Sequence, residues 1–513
     1  MHEVVVGLGP VSIDDVVAVA REDVHVALDS VALAEVASSR ELVEGLASDP
    51  IPHYGISTGF GALATTFIER DRRAALQLSL VRSHAAGMGD EVERDVIRSL
   101  MLLRLSTLMT GRTGIRPIVC ETYAAVLNAG ITPVVRTFGS LGCSGDLAPL
   151  AHCALALLGE GEVRDASGHL MNASDALRAA GIVPVALSEK EGLALINGTD
   201  GMLGQLCLAI SDLRQLLTTT DIAAAMSVEG LMGTDKVFAA DLQRLRPQVG
   251  QAISAANMAR ILADSPIVHS HAGPEDGRVQ DAYSLRCAPQ VTGGARDTLA
   301  HAERVANAEL ASAVDNPVLT IDGRVESNGN FHGAPVAYVL DFLAIVAADV
   351  ASMSERRTDR FLDKSRNQGL PPFLAHEAGV DSGLMIAQYT AAGLVSEMKR
   401  LAMPASVDSI PSSAMQEDHV SMGWHAARKL RLSVDALARV LAIELVTAAR
   451  GLELRAPLSP SPTSHAVIAL LRDAGVEGPG PDRYLSPELQ SAAALVADGR
   501  VRARAREVTP QLV

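Results

Sequence analysis

The loop over residues 139–147 holds the residues whose types and spacing best suit covalent chemistry. It contains Cys143-Ser144-Gly145 among further glycines. One interpretation is a tight turn, because glycine adopts backbone angles that other residues avoid. The other is that the tripeptide cyclises: the nitrogen of Gly145 attacks the carbonyl of Cys143, and loss of water, including the hydroxyl of Ser144, leaves an alkene on an imidazolone ring. A side chain at position 145 would block this approach. The product would be an electrophile made from the chain itself.

Three other catalytic patterns fail on their spacing. Ser144 invites comparison with the nucleophile elbow G-x-S-x-G, but Asp146 stands where the last glycine is required. No Gly-Lys-Ser or Gly-Lys-Thr follows a glycine-rich loop, which excludes a Walker A site. His269 and His271 lie two residues apart in a polar stretch without a third ligand. We therefore predict no metal site.

Seven blocks of this sequence occur in the order of one known family. Residues 139–152 read GSLGCSGDLAPLAH. This block resembles the signature of the aromatic amino acid ammonia-lyases, whose usual tripeptide is Ala-Ser-Gly where this chain has Cys143 first. Because backbone atoms and the serine side chain do the cyclising, a cysteine should be tolerated. The other six blocks are residues 54–61, 83–87, 190–199, 280–287, 327–333 and 416–422.

The resemblance implies a 4-methylidene-imidazol-5-one (MIO) group, formed autocatalytically from residues 143–145, and no dissociable cofactor. Elimination of ammonia from an amino acid is slow because the β-hydrogen is weakly acidic and the amine leaves poorly. An electrophile that withdraws electron density helps with both problems. A positioned base must then remove the β-proton, and a cation must hold the carboxylate.

The same resemblance suggests which residues remove the β-proton and bind the substrate. Tyr54 is the candidate base; its pKa would have to fall from about 10 to work at neutral pH, and the alternative is a packed loop tyrosine. Arg286 is the candidate carboxylate clamp, because its planar fork matches a carboxylate, and the alternative is a surface charge. Tyr283 resembles a tyrosine implicated in ring formation and activity. Asn197 and Gln280 could hold the ring oxygen and the polar atoms of the substrate, or be buried structural amides.

The substrate prediction depends on groups that suit imidazole. His84 and Glu417 can exchange hydrogen bonds with an imidazole ring, and Phe331 can pack on it. Residues 416–419 read QEDH, which resembles the histidine-specific branch. We expect L-histidine to be converted to trans-urocanate, the first step of histidine degradation. Alternatives are a tyrosine or phenylalanine ammonia-lyase or 2,3-aminomutase, and a catalytically silent helical paralogue with an unmodified Ser144.

Helices must position these residues. Leucines and isoleucines at 203, 206, 210, 213 and 217 form one apolar stripe, residues 334–356 are apolar almost all round, and 430–448 carry another stripe. We predict an all-α fold. The resemblance makes it a long-helix bundle of the fumarase/aspartase-like superfamily, with a smaller, mainly helical N-terminal domain at 1–195 and the bundle at 196–513. Three further positions depart from residues common in the family: Asp200, Ala288 and Met415.

Composition narrows the class of protein. With 1 Trp, 6 Tyr and 8 Phe in 513 residues, the chain lacks the aromatics that sheets favour. A net charge of −16 disfavours nucleic acid as a partner. Five scattered cysteines and no signal-peptide pattern predict a cytoplasmic protein. The mean hydropathy is +0.20, yet no uncharged run of ~18 apolar residues is long enough to span a membrane. We therefore expect apolar surface to be buried between subunits. The resemblance implies a homotetramer with active sites shared between subunits.

Overall fold

Helices dominate the computed structural model, which describes the chain except for residues 1–2, 50, 52, 60–65 and 274–278. The chain is 58% helical, so the predicted all-α class is confirmed. The α-helices of the described residues are α1 (Ile13–Arg21), α2 (Ser30–Ala47), α3 (Arg73–His84), α4 (Arg94–Met109), α5 (Pro117–Asn128), α6 (Leu147–Leu157), α7 (Ala173–Ala179), α8 (Glu191–Ile196), α9 (Asp200–Gly230), α10 (Ala240–Arg244), α11 (Val249–Leu262), α12 (Pro266–His269), α13 (Tyr283–Arg286), α14 (Ala288–Leu310), α15 (Ala334–Leu362), α16 (Met385–Leu401), α17 (Gly423–Glu453), α18 (Pro462–Asp473), α19 (Ser486–Ala497) and α20 (Arg500–Val508).

Short strands accompany the helices. They are β1 (Glu3–Val6), β2 (His25–Leu28), β3 (Met88–Glu91), β4 (Thr132–Pro133), β5 (Arg136–Phe138), β6 (Glu162–Arg164), β7 (Leu170–Asn172), β8 (Val318–Leu319) and β9 (Val325–Glu326). β1 pairs in parallel with β2, while β3–β5, β4–β6–β7 and β8–β9 are antiparallel. Pieces of two to four residues are too short to show an alternating pattern, which is why the sequence did not predict them.

The first of two compact units comprises Met1–Ser211, Glu303–Asp341 and Pro404–Arg428. Helix α4 forms its centre, with every side chain from Val96 to Met109 buried. Helices α1 and α5 pack on α4, and α3 and α8 pack on α6. The helix ends follow ordinary capping rules: Ser12 and Asp15 form a capping box on α1, and Pro117 opens α5.

The second unit comprises Asp212–Ala302, Phe342–Met403 and Lys429–Val513. A buried carboxylate joins three of its helical stretches: Glu444 in α17 accepts from Arg357 Nε at 2.5 Å and Nη2 at 2.8 Å. It also accepts from Ser227 Oγ at 2.6 Å and Ser354 Oγ at 2.5 Å. A buried charge is tolerated when it is paired and hydrogen-bonded in this way.

Two sequence predictions bear on this organisation. Each unit is assembled from three stretches of chain, and the division into 1–195 and 196–513 stays a prediction. Helix α15 is long and apolar enough to cross a membrane, and 61% of its apolar window is buried in the structure. The central helix of a globular protein has the same properties.

Candidate active site

The loop with the tripeptide runs from β5 to α6 and is fixed by hydrogen bonds at both ends. Ser140 Oγ donates to Asp146 Oδ1 at 2.8 Å and accepts from the backbone N–H of Gly142 at 3.2 Å. Asp146 Oδ2 accepts from the backbone N–H of Met202 at 2.8 Å, in the first turn of α9. The backbone N–H of Asp146 donates to Gly198 O at 2.7 Å. The loop is therefore held by α9 and the residues that precede it.

Gly145 occupies a position that only glycine fits. Its φ is +74°, in the left-handed region that side chains disfavour. A Cβ atom there would overlap the carbonyl group of Gly198, because the two glycines form a parallel bridge. The backbone of Gly145 can therefore be approached closely by other backbone atoms, but it leaves no room for a side chain.

Residues 420–424 hydrogen-bond to and pack against the segment that carries the tripeptide. Ser421 Oγ donates to Gly142 O at 2.8 Å, and the N–H of Met422 donates to Leu141 O at 2.9 Å. The side chains of Cys143, Val420 and Met422 form a small apolar core. Trp424, fully buried at the start of α17, donates through Nε1 to Thr137 O in β5 at 2.8 Å.

Glu417 places its carboxylate against the tripeptide. Ser144 Oγ donates to Oε1 at 3.2 Å, and Cys143 Sγ donates to Oε2 at 3.1 Å. Ser412 Oγ donates to Oε2 at 3.0 Å. The residues at positions 413–415, shortly before Glu417, all have left-handed backbones, with φ from +50° to +71°. Such strain concentrates at functional sites.

Asn197 carries an unsatisfied buried atom. Its Nδ2 donates to Asn316 O at 2.9 Å, while its Oδ1 is buried without a hydrogen-bond partner among the described residues. Arg104 of α4 donates through Nη1 to the carbonyl of Asn197 at 2.9 Å and lies 3.5 Å from Asp200. Because buried polar atoms are normally paired, an acceptor such as Oδ1 indicates a site for a polar ligand.

Five of the predicted residues line one cavity of about 670 Å³ in the first unit. Its remaining wall includes aliphatic side chains, among them Leu76, Leu80, Leu147, Leu193 and Ile196. The predicted residues are Tyr54, His84, Ser144, Asn197 and Glu417. Pockets of this size, largely apolar with a few converging polar groups, are typical of small-molecule sites.

His84 ends α3 at the cavity wall. Its Nδ1 lies 2.9 Å from Leu80 O and 3.1 Å from Ser83 Oγ. Because a carbonyl oxygen only accepts, the contact with Leu80 assigns the proton to Nδ1. In the neutral ring, Nε2 is then a hydrogen-bond acceptor.

The other predicted residues do not line this cavity. Gln280, Tyr283 and Arg286 belong to the second unit, where Tyr283 is 69% exposed. The Arg286 guanidinium lies 4.6 Å from the centre of the Tyr283 ring, and its Nε donates to Asp281 O at 2.9 Å. Phe331 is half-buried in the first unit and is absent from the cavity wall. Residues 60–61 of the first motif lie outside the described residues.

Two residues with clear structural roles were not predicted from the sequence. Burial raises the pKa of Asp146 to about 7, even though three donors favour its charged form. Arg104 is fully buried and holds the carbonyl of Asn197. An arginine inside the apolar run of α4 and an aspartate directly before α6 were the available signals.

Known proteins resemble this chain over its whole length. A family model described as aromatic amino acid lyase matches residues 11–473. The histidine ammonia-lyase of Streptomyces griseus is 63% identical over 514 residues, covering 100% of both chains, and that of Streptomyces avermitilis is 62% identical over 512 residues, also covering 100% of both.

Two solved structures extend the comparison to the fold. The crystal structure of histidine ammonia-lyase from Trypanosoma cruzi has a TM-score of 0.91 at 35% identity and covers 99% of this chain and 95% of its own. That of tyrosine aminomutase from Streptomyces globisporus has a TM-score of 0.93 at 35% identity and covers 99% of both. This chain therefore belongs to the aromatic amino acid lyases, a family of carbon–nitrogen lyases.

Proposed function

We propose that this chain eliminates ammonia from L-histidine to give trans-urocanate, the first step of histidine degradation. The observation that carries this proposal is the contact of the Glu417 carboxylate with Ser144 in a cavity that His84 also lines. Relatives that are 62–63% identical over the full length are named histidine ammonia-lyase. The likeness to tyrosine aminomutase is weaker, at 35–36% identity.

We also propose that residues 143–145 form the MIO group. The Gly145 nitrogen bonds to the Cys143 carbonyl carbon, whose oxygen leaves as water with the hydrogens of the Gly145 and Ser144 N–H groups. A C=N bond to the Ser144 nitrogen forms in its place. The Cα–H and Cβ–O bonds of Ser144 then break, and a second water leaves. The left-handed Gly145, which has no room for a Cβ, fits this ring. Once formed, the group supplies an electrophile that withdraws electron density from the substrate.

The side chains of the cavity explain a preference for an imidazole ring. Glu417 accepts a hydrogen bond from a ring N–H, and His84 Nε2 can accept a second from a protonated imidazole or amine. The aliphatic wall excludes water from the flat faces of the ring. A phenyl ring has no donor, so it would leave Oε1 of Glu417 desolvated without a hydrogen bond, which is unfavourable.

Tyr54 and Asn197 are the residues that we assign to the β-proton and the amine of the substrate. We assign Tyr54, at the cavity wall, as the base that takes the β-proton. Asn197 Oδ1 accepts from the substrate amine, which satisfies this otherwise unpaired buried atom. Together they orient the β-hydrogen and the leaving amine in one site.

The substrate carboxylate needs a cation, and we assign this role to Arg286 of the partner subunit, with Gln280, Tyr283 and Phe331 completing the site. This requires an oligomer, for which we propose a homotetramer, as the family resemblance suggests. The exposed Tyr283 and the half-buried Arg286 support the proposal, because aromatic and arginine side chains are enriched at protein interfaces. We propose that the protein is cytoplasmic, because none of its five cysteines forms a disulfide.

The decisive experiment is incubation of the purified protein with L-histidine, L-tyrosine and L-phenylalanine, followed by product identification. We expect urocanate from histidine, seen by its near-ultraviolet absorbance. A β-amino acid, cinnamate or coumarate as main product would instead support the aminomutase or the other lyases. Mass spectrometry of the peptide containing Ser144 should show the loss of two waters. An unmodified peptide from native protein would support a silent paralogue.

A further inference from the structure

The Glu417 carboxylate receives three side-chain hydrogen bonds that are divided unequally between its oxygens. Oε2 accepts from Cys143 Sγ at 3.1 Å and from Ser412 Oγ at 3.0 Å. Among the described residues, Oε1 accepts its one side-chain hydrogen bond from Ser144 Oγ, at 3.2 Å. The backbones of Ser412 and Glu417 also exchange two hydrogen bonds, at 2.8 and 3.2 Å. The carboxylate is therefore fixed on one side and bound to a single hydroxyl on the other.

Ring formation changes this arrangement. The second dehydration removes the Ser144 hydroxyl as water, so the donor to Oε1 is lost. The donors from Cys143 and Ser412 stay, and both act on Oε2. Oε1 thereby becomes the oxygen available to an N–H group of the substrate, in the cavity that Ser144 and Glu417 line.

We infer that Cys143 is a positioning residue: its thiol holds Oε2 of Glu417 so that Oε1 meets the substrate ring once the Ser144 hydroxyl has left. This inference rests on the proposed function, because it assigns a role within the same site. It also explains why this chain has cysteine where the usual tripeptide has alanine, because an alanine side chain supplies no donor to Glu417.

The surroundings of Cys143 suit a neutral thiol. The side chain is 6% exposed and packs with Val420 and Met422. Burial, and next the hydrogen bond with Glu417, raise the pKa of Cys143 to about 12. The group therefore stays S–H at neutral pH and remains a donor. A thiol is also a poor nucleophile compared with a thiolate, so it does not compete for the electrophile formed next to it.

The test compares binding of two ring acids to the cyclised protein. trans-Urocanate carries an imidazole and trans-cinnamate a phenyl ring, on the same acrylate. We expect Cys143→Ala to weaken binding of urocanate about three- to tenfold and to leave cinnamate binding unchanged, because one hydrogen bond to the ring-reading carboxylate is lost. KM for histidine should rise by a similar factor, with a smaller change in kcat. Cys143→Ser keeps a donor and should retain most of the affinity.

Controls separate this effect from folding and ring formation. The Cys143→Ala peptide should still show the loss of two waters, because alanine is the usual family residue. Cys153→Ala removes a buried thiol in α6 that does not donate to Glu417, so it reports the cost of losing any buried sulfur. Ser412→Ala removes the second donor to Oε2. In the double variant with Cys143→Ala, the loss should exceed the sum of the two single losses, since no donor then fixes the carboxylate.

Equal urocanate affinity in Cys143→Ala and the unchanged protein would overturn the inference, as would an equal loss for urocanate and cinnamate. Failure of the proposed function is distinguishable from either result. In that case the unchanged protein itself would make no urocanate from histidine, or would lack the two-water mass loss.

Discussion

Gly145 is the residue in the site with the least freedom to vary. A methyl group at this position overlaps the carbonyl of Gly198, and its φ of +74° disfavours any side chain. We predict that Gly145→Ala leaves the tripeptide uncyclised and reduces urocanate formation below detection. Mass spectrometry of the Ser144 peptide and the histidine assay measure both effects.

Gly181 provides a matched control for this substitution. It has a similar φ of +69° but nothing within 4 Å of its added methyl group. Gly181→Ala should cost about 1–2 kcal/mol of folding free energy and leave the ring intact. Normal ring formation in Gly145→Ala would show that the close approach to Gly198 is not required.

Glu417→Gln tests whether a carboxylate recognises the substrate ring. Glutamine keeps the shape but replaces a charged acceptor with a neutral amide, so kcat/KM for histidine should fall about 10- to 100-fold. Glu41→Gln makes the same chemical change at an exposed site on α2 and should have no effect on turnover. A loss smaller than about threefold in Glu417→Gln would contradict the assigned role.

At the scale of single elements, the sequence predicted helices better than their connections. In the sequence, Asp90 with Glu93 predicts a helix start, and α4 begins at Arg94 with Glu93 as its N-cap. The sequence also predicts a cap for the next helix at Thr199 or Asp200, and α9 begins at Asp200. Helical stripes and caps are local patterns, and this is why they can be read directly.

The cavity could be predicted only in part. Tyr54, His84, Ser144, Asn197 and Glu417 were selected because family motifs contain them, and all line one cavity. Several of the hydrogen bonds that support the site join residues more than 50 positions apart, such as Ser144 with Glu417 and Asp146 with Met202. No local pattern encodes such pairs, so the support behind the site had to come from the structure.

Asp146 links the loop to α9 and gives stability a pH dependence. Burial raises its pKa from 3.8 to about 7, so the folded protein binds a proton that the unfolded chain loses near pH 4. Stability from this group is full below about pH 4 and declines as pH rises to about 7, by at most about 1.4 kcal/mol per pH unit. We predict that the free energy of unfolding falls more steeply with pH in the unchanged protein than in Asp146→Asn.

Denaturant titrations at several values between pH 4 and 8 measure this difference. The buried Asp200, whose pKa burial also raises, is present in both proteins and cancels to first order. Parallel curves for the two proteins would mean that Asp146 is already charged in the folded state.

At the scale of the whole molecule, the proposed site needs two chains. If Glu417 of one chain works with Arg286 of the partner subunit, then we expect Arg286→Ala and Glu417→Gln proteins each to keep about a tenth of full activity or less when alone. Refolded or co-expressed together, they should recover roughly a quarter of full activity. Half of the sites then keep Glu417, and half of these meet an intact arginine.

A mixture of Arg286→Ala chains with Tyr54→Phe chains should behave in the same way, since Tyr54 lines the same cavity as Glu417. The matched control is a mixture of Tyr54→Phe with Glu417→Gln. Tyr54 and Glu417 line one cavity of the same chain, so every site in this mixture lacks one of the two residues. We therefore expect no recovery of activity in this control. Recovery in the control and none in the first two mixtures would contradict the proposed division between subunits.

Trp424 gives this protein a built-in optical reporter. It is the one tryptophan among 513 residues, and it is buried where α17 meets β5, directly behind the loop that carries Ser144. Light that excites tryptophan without tyrosine would therefore collect emission from a single position. A shift of that emission towards the red would record loosening of the scaffold behind the catalytic loop, separately from events in the rest of the chain.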